Sequence, residues 1–262
     1  MGWFGPKLPI DLDELDFQLA TFKWLIAQFG PVGGQLLILP TRAFFPLSGA
    51  GGEAGVLEIF EAVRGHAGMA DWPCELQGGQ QNRPFDVGNN IFLKHSGSAP
   101  CGTFEIGEGP TGTCGIITYN PDMAHDMAGL AATFAHEFGH YLMATATTAP
   151  PGGWDLHELH TDLAAIYLGF GIFLANHARS FEHFATEGST GWRSSIQGYL
   201  SEQALVTALC IFQRLAGREP AEAEPHLKPY LTSVLKNADK ALRKTAPDMM
   251  AAVEAMNLDD FA

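Results

Sequence analysis

The chain is short of basic residues, and its cysteines form none of the patterns that mark common metal or redox sites. Its 262 residues carry 15 Lys and Arg against 29 Asp and Glu, a formal net charge of -14. Because this acidic excess repels phosphates, we predict no nucleic-acid partner. The four scattered cysteines include no C-x-x-C pair, which favours buried thiols and a cytoplasmic location. A bridge between Cys101 and Cys114 stays open as an alternative.

Membrane and nucleotide-binding signals are also lacking. No apolar run approaches the roughly 18 residues that span a bilayer, and the first residues lack the basic and then apolar pattern of a secretory leader. We therefore expect no membrane partner. The segment "GAGGEA" (49–54) matches G-x-G-x-x-A, but two prolines stand where a strand should end, and no β-α-β alternation follows. Neither G-x-x-x-x-G-K-[ST] nor G-x-S-x-G occurs.

Hydrophobic periodicity and turn residues predict one α+β domain over 1–262, with a sheet-containing part (1–122) and a mainly helical part (123–262). The first part has predicted helices at 11–29 and 53–68, and predicted strands of an antiparallel or mixed sheet at 35–40, 72–77, 90–95, 102–106 and 114–120. The second part has predicted helices at 123–147, 156–177, 199–216, 226–244 and 247–256.

The stretch "FAHEFGHYL" (134–142) places three ionisable side chains inside an apolar helical run. His136 and His140 are four residues apart, so on a helix their Cβ atoms are about 5–6 Å from each other. Two such imidazoles can bind one Zn²⁺ at about 2.0–2.1 Å. Glu137 is rotated away from the ion and can take a proton from a water molecule that the metal holds. The pattern predicts a catalytic zinc site.

A third ligand is predicted beyond a reversal of the chain. The segment "TTAPPGGW" ends the first helix with Pro and Gly, and the apolar helical run that starts at "DLHELHTD" follows it. Glu158 and Asp162 are four residues apart on this second helix, so both can face the first helix.

Alternatives to Glu158 as a ligand remain open at this point. Asp155 and Glu158 form a D-x-x-E capping box, in which Glu158 would only close the start of its own helix. His157 or His160 could then supply a third imidazole, which zinc accepts equally well.

H-E-x-x-H followed after a short reversal by E-x-x-x-D resembles the gluzincin group of zinc metallopeptidases, which includes the thermolysin-like enzymes. The resemblance covers about residues 130–165. It implies a zincin-like fold and a zinc-dependent hydrolase that cleaves peptide bonds in peptides or proteins. It assigns zinc ligands (His136, His140 and Glu158), a general base (Glu137) and a carboxylate that orients a ligand imidazole (Asp162).

Several departures from the gluzincin pattern limit the resemblance. Seventeen residues separate His140 from Glu158, slightly fewer than in better-known members, and His157 replaces an Asn that often precedes the ligand glutamate. The G-x-M-E-N motif of exopeptidases is absent. Outside the motif, "LPTRAFFP" and "GYLSEQAL" weakly resemble uncharacterised bacterial proteins of metallopeptidase type.

The resemblance leaves the group that stabilises the oxyanion open. This helper is usually a Tyr or a His, and the candidates are Tyr199, His183 and His177, with Tyr199 preferred. A strand between 90 and 120 should provide the edge along which an extended peptide pairs. The alternative functions are a zinc-binding module without peptidase activity and a structural protein with a chance motif. An intact Glu137 argues against the first of these, since only catalysis needs that residue.

Overall fold

The computed structural model describes residues 7–78, 101–109, 112–182 and 200–261. Over these residues the fold is α+β, as predicted, with a small mixed sheet followed by a mostly helical second half. The strands are β1 (Cys74–Gly78), β2 (Gly102–Gly109) and β3 (Gly112–Tyr119). The helices are α1 (Leu12–Phe29), α2 (Gly52–His66), α3 (Met127–Ala144), α4 (His157–Tyr167), α5 (Gly171–Glu182), α6 (Glu202–Leu215), α7 (Pro229–Thr245) and α8 (Met249–Ala255).

The sheet has the order β1-β3-β2, so β3 is central and β2 is an edge strand among the described strands. β1 is parallel to β3, whereas β2 is antiparallel to it. The predicted strands at 72–77, 102–106 and 114–120 are confirmed with small shifts of their ends, and the one at 90–95 lies outside the described residues. All four cysteines are free thiols, so the alternative bridge between Cys101 and Cys114 is wrong.

Two sequence predictions fail together, and one contact explains both. The predicted strand at 35–40 has no regular secondary structure, and the predicted helix at 156–177 is divided into α4 and α5. Ile38 donates its N–H to the carbonyl of Gly169, at 3.0 Å, where the helix breaks. Gly169 has a φ of +98°, and a Cβ there would lie 2.2 Å from the carbonyl oxygen of Leu36. The buried segment therefore packs against a break that only glycine permits.

Close packing of α3 against α4 positions the site. Phe134 and Phe138 on α3 are fully buried and both contact the ring of Phe60 on α2, with ring centroids 5.4 Å apart. On the side that faces α4, a Cβ at Gly139 would lie 2.8 Å from the carbonyl oxygen of Thr161. The glycine between the two histidines of the motif thus lets the two helices approach each other.

The reversal between α3 and α4 is held from both ends of the chain. The Thr148 hydroxyl accepts hydrogen bonds from Trp24 Nε1, at 3.0 Å, and Gln28 Nε2, at 2.9 Å, on α1. The carbonyl of Phe261, in the last described turn, accepts a hydrogen bond of 2.6 Å from the N–H of Gly152. Within the described ranges, no helix combines the length and the apolar character needed to cross a membrane.

Candidate metal centre

His136, His140 and Glu158 converge between α3 and α4. Each offers one ligand atom, and these atoms all lie within 4.8 Å of one another. Glu158 Oε2 is 3.0 Å from His136 Nε2 and 3.5 Å from His140 Nε2, and the two imidazole rings have centroids 4.8 Å apart. Successive turns of α3 carry the histidines and the first turn of α4 carries the glutamate, so the structure brings together all three predicted ligands.

Glu158 does not act as the cap of its own helix. The N-cap position of α4 is Leu156, which makes no side-chain capping hydrogen bond. The Glu158 carboxylate instead contacts three imidazoles, because His157 Nε2 lies 3.2 Å from its other oxygen, Oε1. The tertiary contact with α3 therefore decides between the two interpretations of this residue.

Asp162 holds the first histidine from behind. His136 Nδ1 lies 2.9 Å from Asp162 Oδ1, and because a carboxylate only accepts, Nδ1–H is the donor. Asp162 Oδ2 accepts a second hydrogen bond, of 2.8 Å, from the N–H of Leu200 at the start of the α6 segment. The carboxylate is almost fully buried, so its position is fixed by both neighbours.

Thr161 contacts the second histidine and is not among the site residues predicted from the sequence. Its Oγ1 lies 3.1 Å from His140 Nδ1 and 2.8 Å from the carbonyl oxygen of His157. The signal in the sequence is its spacing of three residues from Glu158, which places both on one face of α4. A threonine in a helix commonly bonds to the carbonyl four residues earlier, so the spacing alone does not single it out.

Burial and hydrogen bonding set the pKa values of the cluster. Burial alone would lower the pKa of His136, but its hydrogen bonds with Asp162 and Glu158 raise that pKa well above its usual value. Burial would raise the pKa of Glu158, whereas hydrogen bonds with the three histidines hold it well below its usual range. For His140, burial prevails and lowers the pKa. Two imidazoles compete for one carboxylate oxygen, an arrangement that a bound cation would relieve.

This donor set fits a zinc ion. Two imidazole nitrogens and one carboxylate oxygen form the His₂Glu combination of catalytic zinc sites, which keep a further position open. A hydrogen bond behind a ligand histidine, as Asp162 makes to His136, is the usual companion of such a ligand. The chemistry of the residues present therefore agrees with the metal that the sequence predicts.

Glu137 supplies a buried carboxylate beside the start of β2. Its side chain is 5% exposed, and its Oε2 has no hydrogen-bond partner in the part of the chain that the structure describes. Burial raises the pKa of this carboxyl to about 8. A Cβ at Gly102 would lie 3.0 Å from Glu137 Oε1 and 2.6 Å from Thr133 Cγ2. Glycine thus lets the β2 backbone pass directly beside the predicted base.

His160, an alternative third ligand, is part of a different contact. Its Nε2 lies 2.9 Å from the carbonyl oxygen of Pro151, to which it donates, and its Nδ1 accepts from the Thr21 hydroxyl at 3.2 Å. It is fully buried, and burial lowers its pKa to about 3. Both nitrogens are occupied by groups outside the cluster, so the alternative of His160 as a ligand is wrong.

The candidates for the oxyanion helper are not assembled at the cluster by the described residues. Tyr199 and His183 lie outside those residues, so their role as oxyanion helper stays a prediction. His177, on α5, donates its Nδ1–H to the carbonyl oxygen of Phe173 in its own helix, at 3.0 Å. Its Nε2 is 3.9 Å from Asp126 Oδ1 at the cap of α3, ten residues before His136, or about 15 Å along the helix axis.

Comparison with known proteins adds no relative. No protein-family model, no curated protein and no solved structure matches the chain. The description of the site therefore depends on the motif and on the geometry given above.

Proposed function

We propose that the protein is a zinc-dependent metallopeptidase of the gluzincin type, with a zincin-like fold. The observation that carries the proposal is the convergence of His136, His140 and Glu158 within 4.8 Å, with the buried Glu137 carboxylate next to the first histidine. A structural helix pair has no need for four ionisable groups, two buried and two half-buried, at one contact, because burying them is costly unless they share a purpose.

Each residue of the site has its own role in the proposed reaction. His136, His140 and Glu158 would hold the zinc, which when bound supplies a Lewis acid and lowers the pKa of a water ligand toward about 7. Asp162 keeps His136 in the tautomer that leaves Nε2 able to act as a ligand. Glu137 Oε2 accepts the proton of the attacking water and returns it to the leaving amine.

An extended peptide is the substrate that the surroundings favour. Peptides commonly bind by adding a strand to the exposed edge of a sheet, and β2 is an edge among the described strands. Gly102 brings the β2 backbone against Glu137. A peptide paired with β2 would pass in front of the base, which makes cleavage of a peptide bond the reaction that the site supports best.

Glu137→Gln tests the proposal. The parent protein should bind one zinc ion per chain by elemental analysis and should cleave members of a peptide library. The variant should keep the zinc and lose about 10²–10⁴-fold in turnover, because the amide cannot take a proton. Glu58→Gln is the matched control: that carboxylate, on α2, accepts from the Ser48 backbone N–H at 2.8 Å and contacts none of the ligands.

Three results would contradict the proposal in different ways. A parent protein without stoichiometric zinc would remove the metal site itself. A parent that binds zinc but cleaves no peptide would indicate a zinc-binding module without peptidase activity. If Glu137→Gln cleaves as fast as Glu58→Gln, Glu137 is not the base.

A further inference from the structure

We propose that Thr161 is a positioning residue for His140, fixing the imidazole tautomer that the zinc site requires. The inference rests on the proposed zinc site but concerns a residue that neither the motif nor the resemblance assigns. Thr161 is on α4, three residues after Glu158 and next to Asp162. Among the described residues, its hydroxyl is the group that lies within hydrogen-bond distance of His140 Nδ1, at 3.1 Å.

The direction of this hydrogen bond follows from the side of the ring that faces the cluster. His140 Nε2 lies 3.5 Å from Glu158 Oε2, so it is the nitrogen that needs a lone pair to act as a ligand, and the proton of a neutral imidazole is then on Nδ1. Nδ1–H donates to Thr161 Oγ1, and the hydroxyl gives its own proton to the carbonyl oxygen of His157, 2.8 Å away, which can only accept.

One face of α4 thus supplies a ligand and the partners of both other ligands. Glu158, Thr161 and Asp162 have the spacing i, i+3, i+4, which places them on one side of the helix. Asp162 bonds to His136 Nδ1 and Thr161 bonds to His140 Nδ1. In both histidines the Nδ1–H donates to α4 and Nε2 is directed at the shared carboxylate oxygen of Glu158.

The partners differ in charge, which predicts different contributions. The Asp162 carboxylate increases the basicity of His136, whereas the Thr161 hydroxyl is neutral and mainly fixes orientation and tautomer. Without the hydroxyl, the His140 proton is free to move to Nε2, and a ring protonated there cannot bind the metal. Removing a partner of this kind typically lowers metal affinity by about 10–100-fold.

Thr161→Val and Thr161→Ser separate the hydroxyl from the packing of the side chain. Zinc affinity is measured by competition with a chromophoric chelator. Valine keeps the shape and should weaken zinc binding by about 10–100-fold, whereas serine keeps the hydroxyl and should bind as the parent does. Thr207→Val is the matched control, since the Thr207 hydroxyl makes the same 2.8 Å bond to the carbonyl four residues earlier, in α6, without a histidine.

A second readout needs no metal. Long-range ¹H–¹⁵N spectra of the zinc-free protein should show His140 with its proton on Nδ1 in the parent and in Thr161→Ser, and a mixture of tautomers in Thr161→Val. If the valine variant does not fold, Thr161→Ala and Thr161→Ser form a second pair that differs only in the hydroxyl.

The outcomes distinguish this inference from the proposed function. Zinc binding by Thr161→Val that equals the parent overturns the role of Thr161, and so does weakened binding by Thr161→Ser to the level of valine. A parent that binds no zinc overturns both the proposed function and the role of Thr161. This result is obtained from the parent alone, before any variant is compared. An unchanged tautomer in Thr161→Val also contradicts the role, whatever the metal affinity.

Discussion

The two sides of α4 bury histidines in different ways. On the side of α1, His160 donates to one carbonyl and accepts from one hydroxyl, so a neutral imidazole satisfies both of its nitrogens with neutral groups. On the side of α3, His136 donates from Nδ1 to Asp162 and His140 Nδ1 contacts the Thr161 hydroxyl, while their Nε2 atoms share a single carboxylate oxygen of Glu158. His136 and His160 are equally buried, whereas the His140 side chain is 20% exposed; the two sides differ above all in the balance of donors and acceptors.

This difference separates a histidine that stabilises the fold from one suited to a metal. A structural imidazole needs one donor and one acceptor partner, and His160 has them. His136 Nδ1 already carries the proton that it donates to Asp162, so in a neutral ring Nε2 turns a lone pair toward the Glu158 carboxylate, an arrangement that a cation between them would favour. The arrangement of partners, rather than burial or the presence of histidine, marks the candidate site.

The largest expected effect is that of zinc on stability. With free zinc at about a thousand times its Kd, the free energy of unfolding should rise by about 4 kcal/mol, because only the folded chain assembles the three ligands. The increment should disappear in His140→Ala and persist in His160→Ala. Urea unfolding with zinc and with a chelator measures it. An equal increment in both variants would erase the distinction between the two sides of α4.

His160→Ala should destabilise the fold without weakening zinc binding. The change leaves a cavity at a fully buried position and removes the partners of Thr21 and Pro151, at an expected cost of about 2–4 kcal/mol. His66→Ala, which loses one hydrogen bond to the Phe44 carbonyl from a half-buried site, should cost less. Urea unfolding and zinc titration of each variant test this. A large loss of zinc affinity in His160→Ala would contradict it.

Gly139→Ala should affect both stability and metal binding, because this residue sits at the contact between the ligand helices. The added Cβ would lie 2.8 Å from the Thr161 carbonyl oxygen and 3.1 Å from Thr161 Cγ2, so α4 must shift. We expect a loss of about 1–3 kcal/mol together with weaker zinc binding.

Gly65→Ala is the control for Gly139→Ala. Gly65 is also helical, in α2, but a Cβ there meets no atom within 4 Å. This change should raise stability by about 0.5–1 kcal/mol, since alanine is the better helix former. If the two alanine variants change stability and zinc binding alike, Gly139 is not needed for the close approach of α3 and α4.

The site was predictable from sequence to the extent that its spacing is local. The motif of His136, Glu137 and His140 lies within one helix, and the Pro and Gly residues before Glu158 predict the reversal of the chain. Whether Glu158 would cap its helix or face α3 depended on a tertiary contact, as did the choice between Glu158 and His160. The sequence does not single out Thr161, because the hydroxyl of any threonine in a helix can bond to the carbonyl four residues earlier. A further bond from that hydroxyl to a histidine on another helix leaves no mark in the local sequence.

The fold was predictable where the hydrophobic pattern acts alone and failed where two distant segments depend on each other. The capped start of α1 at Asp11 agrees with its capping box, and the three described strands lie where short apolar segments stand between turn residues. The segment at 35–40 and the helix break at Gly169 are more than a hundred residues apart, and each is explained only by the other. Periodicity within a window cannot reveal such a pair.

The bond between Phe261 and Gly152 has a consequence for the order in which the site is completed during synthesis. The ligand-bearing helices α3 and α4 are made at least ninety residues before Phe261 emerges, since α4 ends at Tyr167. Until then the reversal between them has its contacts to α1 and the bond from His160 to the Pro151 carbonyl. The three candidate ligands are therefore all synthesised before the bond from Gly152 to the Phe261 carbonyl can form. We expect that bond to be added late, to a reversal that already joins the two ligand helices.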